Sequence, residues 1–229
     1  MLSLTDAIEQ IAALADASGR EHIWSLMVQR TDAKNFLELG VFRGAFAERV
    51  LGQCPNIERY YMLDSWRHLD DWNKPANVDQ STFDEIYAQA MARTEFACDK
   101  RIVLRGKTTE MIDQIPDQSL DIAYIDGDHT LRGISIDLIS TYPKVRPGGI
   151  LGGDDYTATI WQHAGEFEPS LVCPFAAYFA ESQAAPIVIL PYNQFAIVKP
   201  SRRENGFRVV DTTRVYGPRS LLPQIVKRE

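Results

Sequence analysis

The stretch NFLELGVFRG, residues 35–44, decides the fold. Its first five residues are a short apolar run closed by Gly40, and a helical pattern follows from about Ala45 to Leu51. A run of that length bounded by glycine reads as a buried strand. The same unit repeats outward along the chain. Residues 60–63 (YYML) form a second strand ending at Asp64, and 102–105 (IVLR) a third ending at Gly106. Thr108 or Thr109 then caps a short helix. Residues 120–125 (LDIAYI) form a fourth strand ending at Asp126, and 130–141 a helix. Arg146-Pro147-Gly148-Gly149 turns the chain into a fifth strand, 150–153 (ILGG), which runs into Asp154-Asp155. Strands and helices in alternation, with short turns, make an α/β protein with a doubly wound, mostly parallel sheet. The runs 186–190 (PIVIL) and 194–199 (QFAIVK) are joined by too few residues for a crossover, so they close the sheet as a C-terminal antiparallel hairpin.

At 229 residues the chain is the length of one domain. Residues 1–33 precede the first strand, 34–199 hold the core, and 200–229 form a polar, basic tail (Arg202, Arg203, Arg208, Arg214, Arg219, Lys227, Arg228). Ile8, Ile11, Leu14, Ile23, Leu26 and Met27 recur at helical spacing. Thr5 or Asp6 caps the first helix, and Ser18-Gly19 breaks the segment in two. Their apolar face has two uses, closing over a ligand or pairing with a second chain as a homodimer. Residues 65–99 are an insertion between strands two and three, helical from about Thr82 to Thr94, and 156–170 are a loop.

Basic residues number 24 and acidic residues 31, a net charge of −7. Phosphate binding needs a basic footprint, so nucleic acid is not the expected partner. No apolar run reaches membrane-spanning length, and no basic segment followed by an apolar one opens the chain. Cys54, Cys98 and Cys173 are odd in number and show no metal-binding spacing, which suits free thiols and the cytoplasm.

In open parallel sheets, ligands bind beyond the carboxyl ends of the strands. Those ends carry Glu38 and Gly40, Asp64, Gly106-Lys107, Asp126-Gly127-Asp128-His129 and Asp154-Asp155. Gly40 and Gly44 allow a sharp turn and close approach of a ligand, but they do not make the G-x-G-x-x-G of a dinucleotide site. Glu38, two residues before the first glycine, repels phosphate and suits a cationic ligand such as an α-amino group or a sulfonium. Asp64 follows Gly44 by 20 residues, a distance that places a carboxylate on ribose hydroxyls. An ordinary glycine-rich turn and a turn-capping aspartate read the same way, so the set matters more than its parts.

E-L-G-x-x-x-G after a strand, an acid after the second and R-P-G-G before the fifth together resemble the class I S-adenosylmethionine-dependent methyltransferases over residues 34–199. The resemblance implies a Rossmann-like, seven-stranded sheet with a reversed last hairpin. It implies that Glu38, Gly40 and Gly44 line the methionine part of S-adenosylmethionine, that Asp64 with its neighbour Ser65 meets the ribose, and that Gly106, Lys107 and Thr108 meet the adenine.

Asp126, Asp154 and Asp155 end adjacent strands. Unpaired carboxylates brought together repel one another and raise their own pKa values. A divalent cation resolves this, and an all-oxygen set suits Mg²⁺. Neutralisation by a basic side chain, with Arg132 and Lys107 as candidates, resolves it equally. The trio resembles the metal ligands of the metal-dependent O-methyltransferases of the catechol, caffeoyl-coenzyme A and macrolide-sugar type. That resemblance implies Mg²⁺ on Asp126, Asp154 and Asp155, with His129 as general base or as a partner orienting the acceptor. The expected reaction is methyl transfer to a hydroxyl of a small polyhydroxylated acceptor: a sugar, a glycosylated natural product or a catechol. Trp66, Trp72, Phe83, Tyr87, Tyr156 and Trp161 supply aromatic surface for it, with His68 and His163 nearby. Asp128 reads as a cofactor contact or a helix cap, and Asp137 as structural. A metal-free enzyme using His129 alone and a non-catalytic cofactor-binding protein are the competing readings. A non-haem iron site wants two histidines and a carboxylate, and only His129 lies near the acids in sequence.

Overall fold

The computed structural model describes residues 3–14, 19–202 and 206–216. Ser18, Arg203, Arg219, Lys227 and Arg228 lie outside the described residues. Eight strands form one sheet: β1 (Asn35–Leu39), β2 (Arg59–Asp64), β3 (Arg101–Arg105), β4 (Leu120–Ile125), β5 (Val145–Gly153), β6 (Pro186–Leu190), β7 (Gln194–Val198) and β8 (Arg208–Asp211), in the order β3-β2-β1-β4-β5-β7-β6-β8. β1 to β5 pair in parallel, and β7 lies antiparallel to both β5 and β6. The hairpin expected at the end of the core is present, turned by Tyr192 and Asn193, both in the left-handed region.

Alternate residues of each central strand face opposite sides of the sheet. Phe36, Tyr60, Met62, Ile122 and Tyr124 join one core, and Leu37, Leu39, Tyr61, Leu63, Ala123 and Ile125 join the other. A sheet apolar on both faces needs helices on both. The first face is covered by α1 (Leu4–Ala13), α2 (Arg20–Thr31), α3 (Ala45–Gln53) and α4 (Gln80–Arg93). The second is covered by α5 (Thr108–Met111), α6 (Leu131–Thr141) and α7 (Val172–Ser182). Ile8, Ile11, Ile23 and Met27 are fully or almost fully buried in the first core, so the apolar face of the N-terminal helices is spent on the sheet.

Four features differ from the sequence reading. Among the described residues the sheet has eight strands rather than seven, because β8 emerges from the tail and pairs in parallel with β6. Its four residues carry Arg208 and Asp211 at the ends, which hides the central valines in a polar stretch. Arg146 to Gly149 lie inside β5, with a register shift against β4 near Asp121, rather than forming a separate turn. Helix α7 is apolar around most of its circumference, so it shows little helical period; Pro174 stands in its first turn, where a missing N–H costs nothing. Ser3, not Thr5 or Asp6, caps α1 in a reciprocal pair with Asp6, and Lys107 occupies the position before α5.

Candidate active site

The strand order reverses between β1 and β4, and a cleft of about 710 Å³ opens beyond the carboxyl ends there. Leu39 O accepts from Asp126 N (2.7 Å), Leu63 O from Gly40 N (2.9 Å) and Ile125 O from Asp154 N (3.0 Å), so the strand ends are tied level. Gly40 has φ +86°, and a Cβ there would collide with the Asp126 carbonyl. This contact explains why β1 ends in glycine. Gly44 sits at the N-terminus of α3 between the cleft-lining Arg43 and Ala45, where a Cβ would lie 2.9 Å from Ala90 Cα of α4.

Glu38, Gly40, Asp64, Ser65, Lys107, Thr108, Asp126, His129 and Asp155 all line the cleft. Glu38 is 1% exposed, and Tyr60 Oη donates to its Oε2 at 2.8 Å. Burial pushes its carboxyl well above the usual range, against the hydrogen bond from Tyr60. Asp64 clamps the β1–α3 loop: Oδ2 accepts from Val41 N (2.9 Å) and Phe42 N (2.8 Å), and Oδ1 from Trp66 N (2.8 Å). Burial outweighs these bonds and leaves its pKa raised. Thr108 Oγ1 donates to Asp137 Oδ1 at 2.6 Å inside the cleft wall, and burial lifts Asp137 to about 7. Lys107 Nζ approaches Asp71 (3.5 Å).

The acid row gathers as its sequence implied, but its partners are not Arg132 or Lys107. Arg20, from the start of α2, spans two carboxylates: Nη2 lies 3.0 Å from Asp126 Oδ2, and Nη1 pairs with Asp154 Oδ2. Gln194 Nε2 donates to the other oxygen of Asp154, and Trp24 Nε1 donates to Gln194 Oε1 (3.0 Å). His129 Nδ1 pairs with Asp155 Oδ2, and its Nε2 stands 3.4 Å from Asp126 Oδ1. Burial alone would lower the His129 pKa; the carboxylates of Asp126 and Asp155 outweigh it and raise it to about 10. His129 is therefore an imidazolium at neutral pH, a poor general base while those pairs stand. Asp155 itself is held low, burial being overcome by His129. Its φ of +60° marks local backbone strain at the site. Among the described residues no group of three His, Cys, Asp or Glu is arranged to hold a metal ion. Arg20 already pairs with Asp126 Oδ2 and Asp154 Oδ2, His129 with Asp155 Oδ2, and Gln194 with the other oxygen of Asp154, so this arrangement does not fit one.

The insertion and the 156–170 loop meet over the cleft. Lys74, 7% exposed, donates to Glu168 O (2.6 Å), and Asn73 Nδ2 to Glu166 O (2.6 Å). Trp72 Nε1 reaches Asp128 Oδ1 (3.0 Å), which also accepts from Thr130 N, while Thr130 caps α6. Thr130 rather than Asp128 is thus the cap, and Asp128 lines the cleft. Trp66 is fully buried, with Nε1 on Phe42 O (2.8 Å), and Tyr156 is buried against Phe195 and Tyr216. Both are packing residues rather than acceptor contacts. His68 pairs with Val78 O outside the cleft, Trp161 is exposed, and His163 lines the cleft.

Arg20, Trp24, Gln194 and Lys74 escape sequence reading. Arg20 precedes Asp126 by 106 residues and belongs to no local motif.

A family profile described as a methyltransferase domain matches residues 37–156, more than half of the chain. The protein belongs to that methyltransferase family. Its fold is similar to that of a Bacillus cereus O-methyltransferase solved with SAH (16% identity, 87% of this chain and 92% of that one, TM-score 0.53). It is similar to TomG of Streptomyces achromogenes, an O-methyltransferase of tomaymycin synthesis solved with SAM (14%, 88% and 91%, 0.55). It is also similar to the SAH-bound Podospora anserina methyltransferase PaMTH1 (12%, 88% and 89%, 0.56). At such identities the likeness is one of fold. Over 100 residues the chain is 29% identical to Uncharacterized protein y4gI of Sinorhizobium fredii (strain NBRC 101917 / NGR234); the match takes in 40% of this chain and 11% of that protein. The chain therefore spans only a small part of the length of the curated relative it matches. No helix among the described residues is long and apolar enough to cross a membrane.

Proposed function

We propose that the protein is an S-adenosylmethionine-dependent O-methyltransferase whose acceptor is a small molecule with an acidic, catechol-like hydroxyl. The observation that carries the cofactor reading is Glu38, a carboxyl buried at the switch point of the sheet and facing the cleft beside a glycine-turned strand end. Its hydrogen-bond partner among the described residues is the neutral Tyr60 hydroxyl. An α-amino group is the counter-charge such a carboxyl lacks. Asp64, with lone pairs beyond those given to the loop amides, would take the ribose hydroxyls beside Ser65. Lys107 and Thr108 would border the adenine. The bound cofactor supplies an electrophilic methyl on a sulfonium.

The chain's own residues then do three things. The roof formed by Trp72 and Lys74 with His163 excludes water and orients the acceptor, since transfer of this kind depends on alignment. The imidazolium of His129 and the guanidinium of Arg20 favour an acceptor oxygen that carries negative charge. A phenolic hydroxyl reaches that state far more readily than a sugar hydroxyl, so a catechol-like acceptor fits better than a polyol. The acceptor hydroxyl gives its proton to solvent, and the charged pair of His129 with Asp155 orients the oxygen that remains. The Mg²⁺ implied by resemblance has no part in this reading, because the carboxylates that would bind it are matched by Arg20 and His129.

The test is transfer of labelled methyl from S-adenosylmethionine to a panel of catechols, simple phenols and sugars, each with EDTA and with Mg²⁺. Transfer to catechols that EDTA leaves unchanged is the expected result. Failure of both S-adenosylmethionine and its demethylated product to bind in calorimetry would overturn the cofactor reading. Preference for sugars would overturn the acceptor reading.

A further inference from the structure

We propose that Arg20 is the resident cation of the acid row: its guanidinium takes the place between Asp126 and Asp154 that a divalent ion would take. Asp126 Oδ2 and Asp154 Oδ2 are bridged by the two terminal nitrogens of one guanidinium, at 3.0 Å for Asp126. They are two of the oxygens open to an ion seated between the ends of β4 and β5, one from each strand end. Mg²⁺ requires free carboxylate oxygens at about 2.0–2.1 Å in near-octahedral order. Arginine cannot be neutralised to make way, since it keeps its proton at any pH a protein survives.

The rest of the row is fixed in the same sense. Gln194 is fully buried and its amide orientation is not free. The indole N–H of Trp24 can only donate, so Gln194 Oε1 must face it and Nε2 must face Asp154. Nε2 also donates to Tyr192 O at 2.9 Å. Asp154 is therefore met by donors on both oxygens. Arg20 and Trp24 are four residues apart on α2, so they stand on one face of the helix, one turn apart. A single helix thus supplies the cation and orders the amide behind it. An ion entering the row would have to evict the first residue of α2 and leave the buttress of Trp24 and Gln194 in place.

The inference deepens the proposed function in one respect. Arg20 also lines the cleft, with its side chain 31% exposed, so one group compensates the acids and presents positive charge to an acceptor oxygen. That second role rests on the methyltransferase reading, whereas the occupancy of the row does not.

The experiment is Mn²⁺ titration followed by electron paramagnetic resonance, on the wild-type chain and on Arg20→Met, Arg20→Gln and Arg20→Lys. The wild type and Arg20→Lys are expected to leave stoichiometric Mn²⁺ free. Arg20→Met or Arg20→Gln is expected to bind about one Mn²⁺ per chain at least tenfold more tightly, and adding Asp126→Asn should abolish the gain. Either of these two uncharged variants suffices if the other fails to fold. Binding of Mn²⁺ by the wild type that Asp126→Asn removes would overturn the proposal. So would uncharged variants that fold and bind no Mn²⁺ more tightly than the wild type. Calorimetry with SAH on the same proteins separates the two readings: failure of SAH to bind the wild type counts against the methyltransferase function and leaves the Mn²⁺ result to decide the role of Arg20.

Discussion

At the β1–β2 end of the cleft, Glu38 is buried with a neutral hydroxyl for company and Asp64 is tied to backbone amides. At the β4–β5 end, Asp126, Asp154 and Asp155 are met by a guanidinium, an amide and an imidazole. Both ends are acidic and both lie beyond the same sheet. The difference shows that a row of acids does not by itself mark a cation site. What matters is whether the chain supplies the counter-charge from elsewhere. The first end has no basic side chain paired with its buried acid, whereas at the second Arg20 and His129 face the carboxylates.

The largest effect is expected at Asp64. Asp64→Ala strands three backbone donors of the β1–α3 loop, each costing about 1–3 kcal/mol. We expect a fall of many degrees in melting temperature and at least hundredfold weaker SAH binding, read by scanning calorimetry and titration. Unchanged SAH affinity would mean that this end of the cleft is not the ribose end.

Glu38→Gln removes the ionisable group and keeps the shape. The folded state raises the Glu38 pKa, so the stability tied to its proton is full below the unfolded value and fades as pH rises. Glutamine should leave the melting temperature at pH 8 unchanged or higher, yet weaken S-adenosylmethionine roughly ten- to hundredfold, about 1.4–2.8 kcal/mol. Equal affinity in both proteins would show that the buried acid is not awaiting an amine.

The smallest effect is expected at His129, in the compensated row. Its pKa is raised from about 6.5 in the unfolded chain to about 10. The stability it confers is complete below pH 6.5 and is lost as pH climbs through about 10. Melting temperature should therefore drop by several degrees more between pH 7 and 10 in the wild type than in His129→Gln. Methyl transfer should weaken above about pH 10. A rate that instead rises to that pH would restore His129 as the base.

Much of this architecture was legible because its signals are local. The run ending at Gly40, the acids at the ends of β2, β4 and β5, and the closely spaced β6–β7 pair each occupy a few consecutive residues. The cleft likewise collects most of the residues placed at strand ends. The contact of Gly44 with α4 is not legible, because a glycine allowing a ligand's approach and a glycine allowing a helix's approach look alike in sequence; the position of Ala90 reveals it. The counter-charge at the acid row was illegible for a deeper reason. Arg20, Trp24 and Gln194 are joined to Asp154 only by the tertiary fold, across 170 residues in the case of Trp24 and Gln194. Trp66 and Tyr156 looked like acceptor contacts because an aromatic ring near a strand end carries no mark of which way it packs.

The eighth strand has a consequence for how the molecule keeps to itself. Every residue of β6 is buried, and β6 would be the bare outer edge of the sheet without β8. An uncovered apolar edge offers free N–H and C=O groups to any other chain and so templates aggregation. β8 replaces it with a four-residue margin that begins with Arg208 and ends with Asp211, short and charged at both ends. This part of the polar, basic tail is thus a selvedge: it finishes the sheet so that the cloth does not run on into its neighbour.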